Sequence, residues 1–185
     1  LLTDSQLYNA EARYEWYFDR EQRFTIAGFF KRIDSPIESF SSFDDNSVIT
    51  SFANAPKADL YGVEIETQKY FDLSAIGDEG FFATRRAVVI ANYTYTKSKI
   101  SVKAGDTVAV FNASSTNALD FFTDGSPLTG QADHLINLQF GLEDTERLSQ
   151  QTILLSYSTD RVTSRGASGQ PDIKEKPGIL LDFVA

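Results

Sequence analysis

Residues 11–19 alternate strictly between two kinds of side chain. Charged residues and one tyrosine occupy the odd positions, and the even positions hold Ala12, Tyr14, Trp16 and Phe18. Neighbouring side chains of a β-strand point to opposite faces of its sheet, whereas a helix would scatter these residues around its circumference. The alternation therefore predicts a strand with one apolar face and one polar face.

The same two-residue period recurs along the chain and predicts an all-β fold. Seven stretches carry it, and we expect strands at residues 11–19, 23–33, 58–71, 86–99, 131–143, 150–163 and 178–185. Most of these strands are longer than the five or six residues typical of globular proteins. A tilted strand needs about 9–11 residues to cross the hydrocarbon layer of a membrane, so most of the predicted strands are long enough to do so.

The connections between these strands alternate in length. Residues 19–22 and 144–148 form short polar turns, and a medium connector contains Gly77 and Gly80. The intervening connections are long polar loops at residues 34–57, 101–129 and 164–177, the first with a further strand at 48–52. Outer-membrane barrels have short periplasmic turns and long extracellular loops. The pattern thus predicts an antiparallel up-and-down meander that forms part of a large transmembrane β-barrel.

Composition narrows the function classes. No run of about 18 apolar residues is present, which excludes a transmembrane helix. The chain has no cysteine, and therefore no disulfide, thiolate metal site or cysteine nucleophile. Its net charge of −9 argues against nucleic acid as a partner. The 15 Phe and 8 Tyr suit an apolar face with tyrosines at the membrane–water boundary.

Seven strands do not close a bacterial single-chain barrel, which has an even number of strands from eight upward. An open sheet edge in lipid leaves backbone groups unpaired at a cost of several kcal/mol each. The chain also lacks an initial Met and a signal peptide. We therefore expect residues 1–185 to form a single partial domain of roughly seven wall strands, with the remaining strands elsewhere in a longer protein.

Several short segments of the sequence resemble a known family, and together they span nearly the whole chain. The later barrel strands of TonB-dependent outer-membrane receptors are similar to residues 13–18, 29–38, 61–66, 128–137 and 171–177. The resemblance implies a 22-stranded barrel with an N-terminal plug in the bacterial outer membrane, of which this chain is the C-terminal part. It also implies active uptake of a scarce ligand of the siderophore-iron, cobalamin or oligosaccharide class.

The resemblance further implies three kinds of partner. These are outer-membrane lipid and lipopolysaccharide, an extracellular small-molecule ligand, and TonB, which would bind the absent N-terminal part. We expect ligand contacts in the three long loops, at residues 34–57, 101–129 and 164–177, because function concentrates on loops held by a rigid scaffold. The pattern singles out no individual substrate-binding residue.

No catalytic, cofactor-binding or metal site is predicted, and we expect no enzyme. The one histidine, His134, has no second histidine or cysteine to make a metal site and is expected to be a polar residue at a loop edge. Glu64 and Glu66 have a spacing that paired acids could use, but solvation or pairing with a basic neighbour is the simpler interpretation. Asp44, Asp45 and Asn46 lack the spaced ligands of a calcium loop.

Two alternatives remain open from the sequence. A passive outer-membrane porin would have no plug and a constricting loop folded into its pore. A soluble β-sandwich that binds carbohydrate or adhesive surfaces would fold alone in water, with Tyr14, Trp16 and Leu138 packed in a core.

Overall fold

The structure is a computed structural model that describes residues 2–44, 47–166 and 170–185. These residues form eleven β-strands and two short 3₁₀ helices, Leu73–Ala75 and Ala118–Asp120. No helix in the described ranges is long and apolar enough to cross a membrane. The strands are β1 Gln6–Asp19, β2 Gln22–Asp34, β3 Ile37–Asp44, β4 Ser47–Asn54, β5 Lys57–Asp72, β6 Arg85–Ser101, β7 His134–Asp144, β8 Ser149–Ser158, β9 Arg161–Gly166, β10 Ile173–Glu175 and β11 Gly178–Val184.

Seven of the strands form one sheet, which we call the wall. Its order is β1-β2-β5-β6-β7-β8-β11, and every neighbouring pair is antiparallel. Wall strands that follow one another along the chain are therefore neighbours in the sheet. This arrangement confirms the predicted all-β, antiparallel up-and-down meander.

The register divides the wall into two chemically different faces. Residues directly opposite each other on neighbouring strands share a face. One row that crosses all seven strands is entirely apolar or aromatic: Tyr14, Ile26, Ile65, Tyr93, Ile136, Tyr157 and Ile179. The next row lies on the opposite face and is polar except at its last member: Glu15, Thr25, Glu66, Asn92, Asn137, Ser156 and Leu180. We call these the apolar face and the polar face.

No second sheet covers the apolar face in the described part of the chain. Tyr14 is 62% exposed, Trp16 55% and Phe140 48%. A soluble sandwich would bury such side chains between two sheets. The expectation that Tyr14, Trp16 and Leu138 pack in a sandwich core is therefore wrong, because their face is turned away from the rest of the chain.

The short connections all lie at one end of the wall. β1 turns into β2 through Arg20 and Glu21, and Glu21 has the positive φ of 59° that a tight turn requires. Arg86 at the same end bonds Glu143 at 2.7 Å and Glu21 at 3.1 Å. Arg86 at the start of β6 thus links the β1–β2 turn to the end of β7 on the short-turn side.

The long connections contain structure that the sequence pattern did not predict. Residues 34–57 were expected to be a loop with one strand at 48–52, but they form the hairpin of β3 and β4. The strand expected at 150–163 is divided between β8 in the wall and β9 in a second sheet of order β10-β9-β3-β4. It divides because Thr159 turns back to β7, where its N–H donates to the His134 carbonyl at 3.1 Å.

One strand boundary also differs from the expectation. β7 begins at His134 and not at residue 131, since the backbone turns toward the cap at Gly130. The N–H of Gly130 donates to the Val162 carbonyl of β9 at 2.6 Å, whereas the Asp133 carbonyl still accepts from Thr96 of β6 at 2.9 Å. The second long loop, at 101–129, is irregular as predicted, apart from one 3₁₀ turn and an isolated bridge.

Candidate functional site

The three long connections fold together at one end of the wall into a unit that we call the cap. It comprises the β3–β4 hairpin, residues 102–133, and β9 with β10. Apolar side chains of the β3–β4 hairpin, of residues 102–133 and of the adjoining ends of β5 and β6 share one core. The buried members of that core are Phe40, Ala53, Ala55, Ala58, Ile100, Val102, Val108, Ala118, Phe122 and Leu128.

The cap packs on the polar face of the wall. Ala58 and Ile100 pair across β5 and β6, belong to the polar face by register, and are both 0% exposed. Two residues further down β6, the Ser98 hydroxyl oxygen accepts the N–H of Leu128 at 2.9 Å. The long loops therefore fold inward over the face that would line the lumen of a closed barrel.

A buried ion pair links the three segments of the cap. Arg165 of β9 donates from Nε to Oε2 of Glu38 in β3 at 2.8 Å, and their side chains are 3% and 1% exposed. The Thr129 N–H donates to both Glu38 carboxylate oxygens at 3.2 Å. Arg165 also donates from Nη2 to the Pro127 carbonyl. One arginine and one glutamate thus hold β3, β9 and the second long loop in fixed relative positions.

The surroundings of this pair set its electrostatics. Burial raises the pKa of Glu38 above its usual value of 4.5, although the Arg165 charge and the Thr129 hydrogen bonds oppose that rise. The Arg165 guanidinium lies 5.8 Å from the centre of the Phe122 ring, and its Nη1 lies 3.5 Å from an Asp172 carboxylate oxygen. A charge removed from water in this way must keep its partner, because an unpaired buried charge is costly.

Backbone and hydroxyl contacts support the same junction. β3 and β9 pair in parallel, with Phe40 opposite Arg165 and Ser41 opposite Gly166. The Ser41 hydroxyl donates to the Ser164 hydroxyl oxygen at 2.8 Å. The first and third long loops are therefore joined across 123 residues of sequence.

Two adjoining cavities open between the β3–β4 hairpin and the second long loop. The first has about 360 Å³ and is lined by hydroxyl and amide side chains together with small apolar residues. The second has about 560 Å³ and a mainly apolar lining that includes Leu2, Phe52 and Phe111. Neither lining includes a charged side chain among the described residues. Pockets of this size suit small molecules, so they are candidate ligand contacts.

The structure places the candidate residues of the sequence apart from one another. His134 begins β7 on the apolar face, where its Nδ1 lies 2.9 Å from the Tyr93 hydroxyl. Glu64 and Glu66 lie on the polar face, and Glu66 forms an ion pair with Arg23. In the described residues no three histidine, cysteine or acidic side chains cluster to hold a metal. The remaining candidates of the first loop, Asp45 and Asn46, lie outside those residues.

Sequence reasoning missed Glu38, Thr129 and Arg165, the residues that connect the cap. They are separated by up to 127 positions, and each is an ordinary polar residue in its local sequence. The pairing of β3 with β9 brings Glu38 and Arg165 together, and the fold of the second long loop adds Thr129. No spacing motif marks them, so the sequence carried no local signal of their contact.

The wall has the features of an outer-membrane type β-barrel. Its apolar face is turned outward, its polar face lies beneath inward-folded loops, and its long connections are confined to one end. The sheet is not closed in the described part of the chain, since β1 and β11 do not pair with each other. A family model described as "TonB dependent receptor-like, beta-barrel" matches residues 6–181. The chain belongs to this family of TonB-dependent receptor barrels. No curated protein and no solved structure matches the chain.

Membership of the family confirms the resemblance drawn from the sequence. It implies an outer-membrane receptor with a transport role in general, and interaction with TonB and extracellular ligands. The short-turn end of the wall is then the periplasmic end, and the cap is the extracellular end.

Proposed function

We propose that this chain forms part of the barrel through which a TonB-dependent receptor actively takes up a scarce ligand. The ligand would be of the siderophore-iron, cobalamin or oligosaccharide class. In this proposal residues 1–185 are a single partial domain, and the plug and the remaining wall strands belong to the longer protein. Its role is binding and passage of a ligand, not catalysis of a reaction.

The observation that carries the proposal is the cap. The first and second long loops share one core, a buried ion pair joins the third to them, and together they pack on the extracellular end of the polar face. Recognition of a specific ligand needs loops held in fixed positions at the extracellular mouth, because function concentrates on loops carried by a rigid scaffold. The cap also brings two uncharged cavities close to the extracellular end of the wall.

A passive porin is the competing function. It would also fold a loop inward, so the cap alone does not separate the two. The family match favours the receptor, and dependence of uptake on TonB separates them experimentally.

The test is a reversible lock on the cap of the full-length receptor. Ser41→Cys with Ser164→Cys would join β3 to β9, since their hydroxyl oxygens are 2.8 Å apart and the chain has no cysteine of its own. The control pair, Ser41→Cys with Thr50→Cys, joins two residues that face each other within the β3–β4 hairpin. The control therefore forms a disulfide without tying two loops together.

Growth is measured with a ferric siderophore, cobalamin or a maltooligosaccharide as the limiting nutrient, in cells with and without TonB. We expect TonB-dependent growth on one of these nutrients, loss of growth in the oxidised β3–β9 lock, recovery after reduction, and no effect of the control pair. If the receptor is not required for growth on any of the three nutrients, the proposed ligand classes are wrong. Receptor-dependent growth that does not require TonB would favour the porin.

A further inference from the structure

One edge of the second sheet has no partner strand in the part of the chain that the structure describes. The sheet has the order β10-β9-β3-β4, so β4 is its last strand and pairs on one side only. At the end of the β3–β4 hairpin, the Ala55 N–H donates to the Pro36 carbonyl at 2.8 Å. Residues of an antiparallel pair alternate between bonding the partner strand and facing away from it, so this bond fixes which residues of β4 face β3.

Every second residue of β4 directs its backbone away from the sheet. The register makes the odd-numbered residues of β4 those that bond to β3. The N–H and C=O groups of Val48, Thr50 and Phe52 therefore point to the free edge, where no described residue forms a hydrogen bond with them. β4 also has no charged residue and no proline, which are the residues that commonly protect an exposed edge from pairing. The edge is thus open to a further strand.

A slot runs along this free edge. It consists of the two adjoining cavities of the cap, and residues 107–111 of the second long loop form its opposite side. The larger cavity is lined by the four consecutive residues 49–52, which alternate between the two faces of β4, so it lies at the edge of the strand and not over one face. Phe52 is 54% exposed there and Phe111 is 61% exposed. Large apolar side chains exposed together mark an interaction site.

The end of the slot already binds one peptide unit of the chain itself. The Thr3 N–H donates to Oδ1 of Asn54 at 2.8 Å, and the Asn54 side-chain amide donates to the Thr3 carbonyl at 2.9 Å. Asn54 is the last residue of β4, and both residues line the smaller cavity. The slot therefore carries, beside its free backbone groups, a side chain that matches the donor and the acceptor of a polypeptide backbone.

We propose that the slot binds an extended peptide with uncharged side chains, which adds a strand to β4. The backbone of the peptide would pair with the outward N–H and C=O groups of β4, because a second extended polypeptide offers donors and acceptors at the same two-residue repeat. Uncharged side chains fit the slot, since its lining in the described residues includes no charged side chain.

The shape of the slot favours a short free peptide over the edge strand of a folded protein. Residues 109–111 lie opposite β4, so the space between them accepts a single strand and would exclude the sheet to which a protein's edge strand belongs. Each of the two cavities has the volume of a small-ligand site. The inference goes beyond the three ligand classes of the proposed function, and it rests on the extracellular position of the cap in that function.

The test is capture of peptides by the full-length receptor, purified in mild detergent. The probe is a library of acetylated and amidated hexapeptides of uncharged residues, and the bound peptides are eluted and identified by mass spectrometry. We expect the receptor to enrich a subset of the library. Addition of an enriched peptide should slow amide hydrogen exchange at Val48, Thr50 and Phe52, whose N–H groups face the slot.

Two methylated copies of an enriched peptide test strand addition without any change in the receptor. Each copy carries methyl groups on every second backbone nitrogen, one copy on the nitrogens that the other leaves free. An added strand directs alternate N–H groups toward β4 and the others away from it. We expect the affinities of the two copies to differ at least roughly tenfold, because only one copy loses the donors that face β4.

Phe52→Pro removes one outward donor of β4, and Phe52→Val is its matched control. Both variants lose the aromatic ring, but only proline lacks the N–H. An edge strand tolerates proline where the N–H faces away from the sheet, so β4 should still pair with β3 in both variants. We expect the proline variant to bind the enriched peptide roughly three- to tenfold more weakly than the valine variant, as the loss of one hydrogen bond implies.

Four results would overturn the inference. They are a receptor that enriches no peptide, equal affinity of the two methylated copies, equal affinity of the proline and valine variants, and slow exchange of residues 48, 50 and 52 without peptide. The last result would show that another segment of the receptor pairs with β4. If growth on one of the three nutrients still requires the receptor and TonB, only the peptide site is refuted. If peptides are captured but none of the nutrients requires the receptor, the proposed ligand classes are wrong and the peptide site stands.

Discussion

Replacement of Arg165 by methionine should open the cap without disturbing the wall. Arg165 bonds Glu38, the Pro127 carbonyl and Asp172, and all three partners lie in the cap. Methionine keeps much of the apolar volume against Phe122 but supplies no charge. Glu38, whose side chain is 1% exposed, would then be buried without a counter-charge.

The loss of this ion pair sets the expected change in the free energy of cap opening. Breaking a buried ion pair by removing one partner costs about 3–5 kcal/mol. Each 1.4 kcal/mol is a factor of ten in an equilibrium constant, so opening of the cap should become roughly 10²- to 10³·⁵-fold more frequent. The wall should keep its stability, because its strands pair with one another independently of the β3–β9 junction.

Amide hydrogen exchange on the full-length receptor in detergent measures this opening directly. Protection should fall in β3, β9 and the segment around Thr129, and at Ile100, whose N–H donates to the Ser126 carbonyl in the cap. It should stay unchanged in β7 and in residues 85–95 of β6, which pair with β7. The matched control is the double variant Glu38→Leu with Arg165→Met. It removes both charges and should recover part of the protection, because an apolar pair can replace a buried ion pair at little cost. Recovery is incomplete, since the Thr129 N–H loses its acceptor.

Two outcomes would refute the reasoning. Wild-type protection of β3 and β9 in the single variant would show that the ion pair does not hold the cap together. A double variant as open as the single one would show that lost packing, and not an unpaired charge, caused the opening.

Three further predictions concern pH, packing and the two faces of the wall. Burial raises the pKa of Glu38, so the closed cap binds a proton more tightly than the open cap, and the stability of the cap is greatest below pH 4.5 and falls as the pH rises through the raised pKa. Amide hydrogen exchange, corrected for its intrinsic pH dependence, should show this loss of stability, and Glu38→Gln should abolish it. Gly62→Ala should cost about 1–3 kcal/mol and lower the folded yield on heat-modifiable gels, because a Cβ there would collide with the carbonyl oxygen of residue 95, whereas Gly28→Ala should be tolerated. Ile65→Arg on the apolar face should destabilise the barrel by about 2–4 kcal/mol in urea titrations in lipid, and Thr94→Arg on the polar face should cost much less; equal costs would contradict the assignment of the faces.

The wall could be predicted because its information is local. A strand that separates lipid from a wet lumen must alternate along its whole length, and the alternation at residues 11–19 persists as β1 with its faces as expected. Short turns were equally visible, since Asp19 to Gln22 is a polar link between two alternating runs. Each wall strand pairs with its neighbours along the chain, so the order of strands followed from the order of the sequence.

The cap could not be predicted because the residues that hold it together lie far apart in the sequence. β3 alternates Glu38, Phe40 and Ser42 on its core-facing side, so a charged residue occupies a position where a local pattern expects an apolar one. That charge is accommodated by Arg165, which is 127 residues away. The polar composition of residues 34–57, together with Pro36 and Pro56, made this segment resemble a long loop. A buried ion pair thus places a charged residue at a core position of a strand, where an apolar residue would otherwise identify the strand from its local sequence.

This difference between wall and cap also bears on how the receptor could work. The wall is held by continuous antiparallel pairing, which opens only if many backbone hydrogen bonds break together. The three segments of the cap meet through a two-residue parallel pairing, one ion pair and a small apolar core. The free energy that separates its closed and open forms is therefore concentrated in a few contacts, and a ligand that competes for the Glu38 or Arg165 side chain could shift that equilibrium while the wall stays intact.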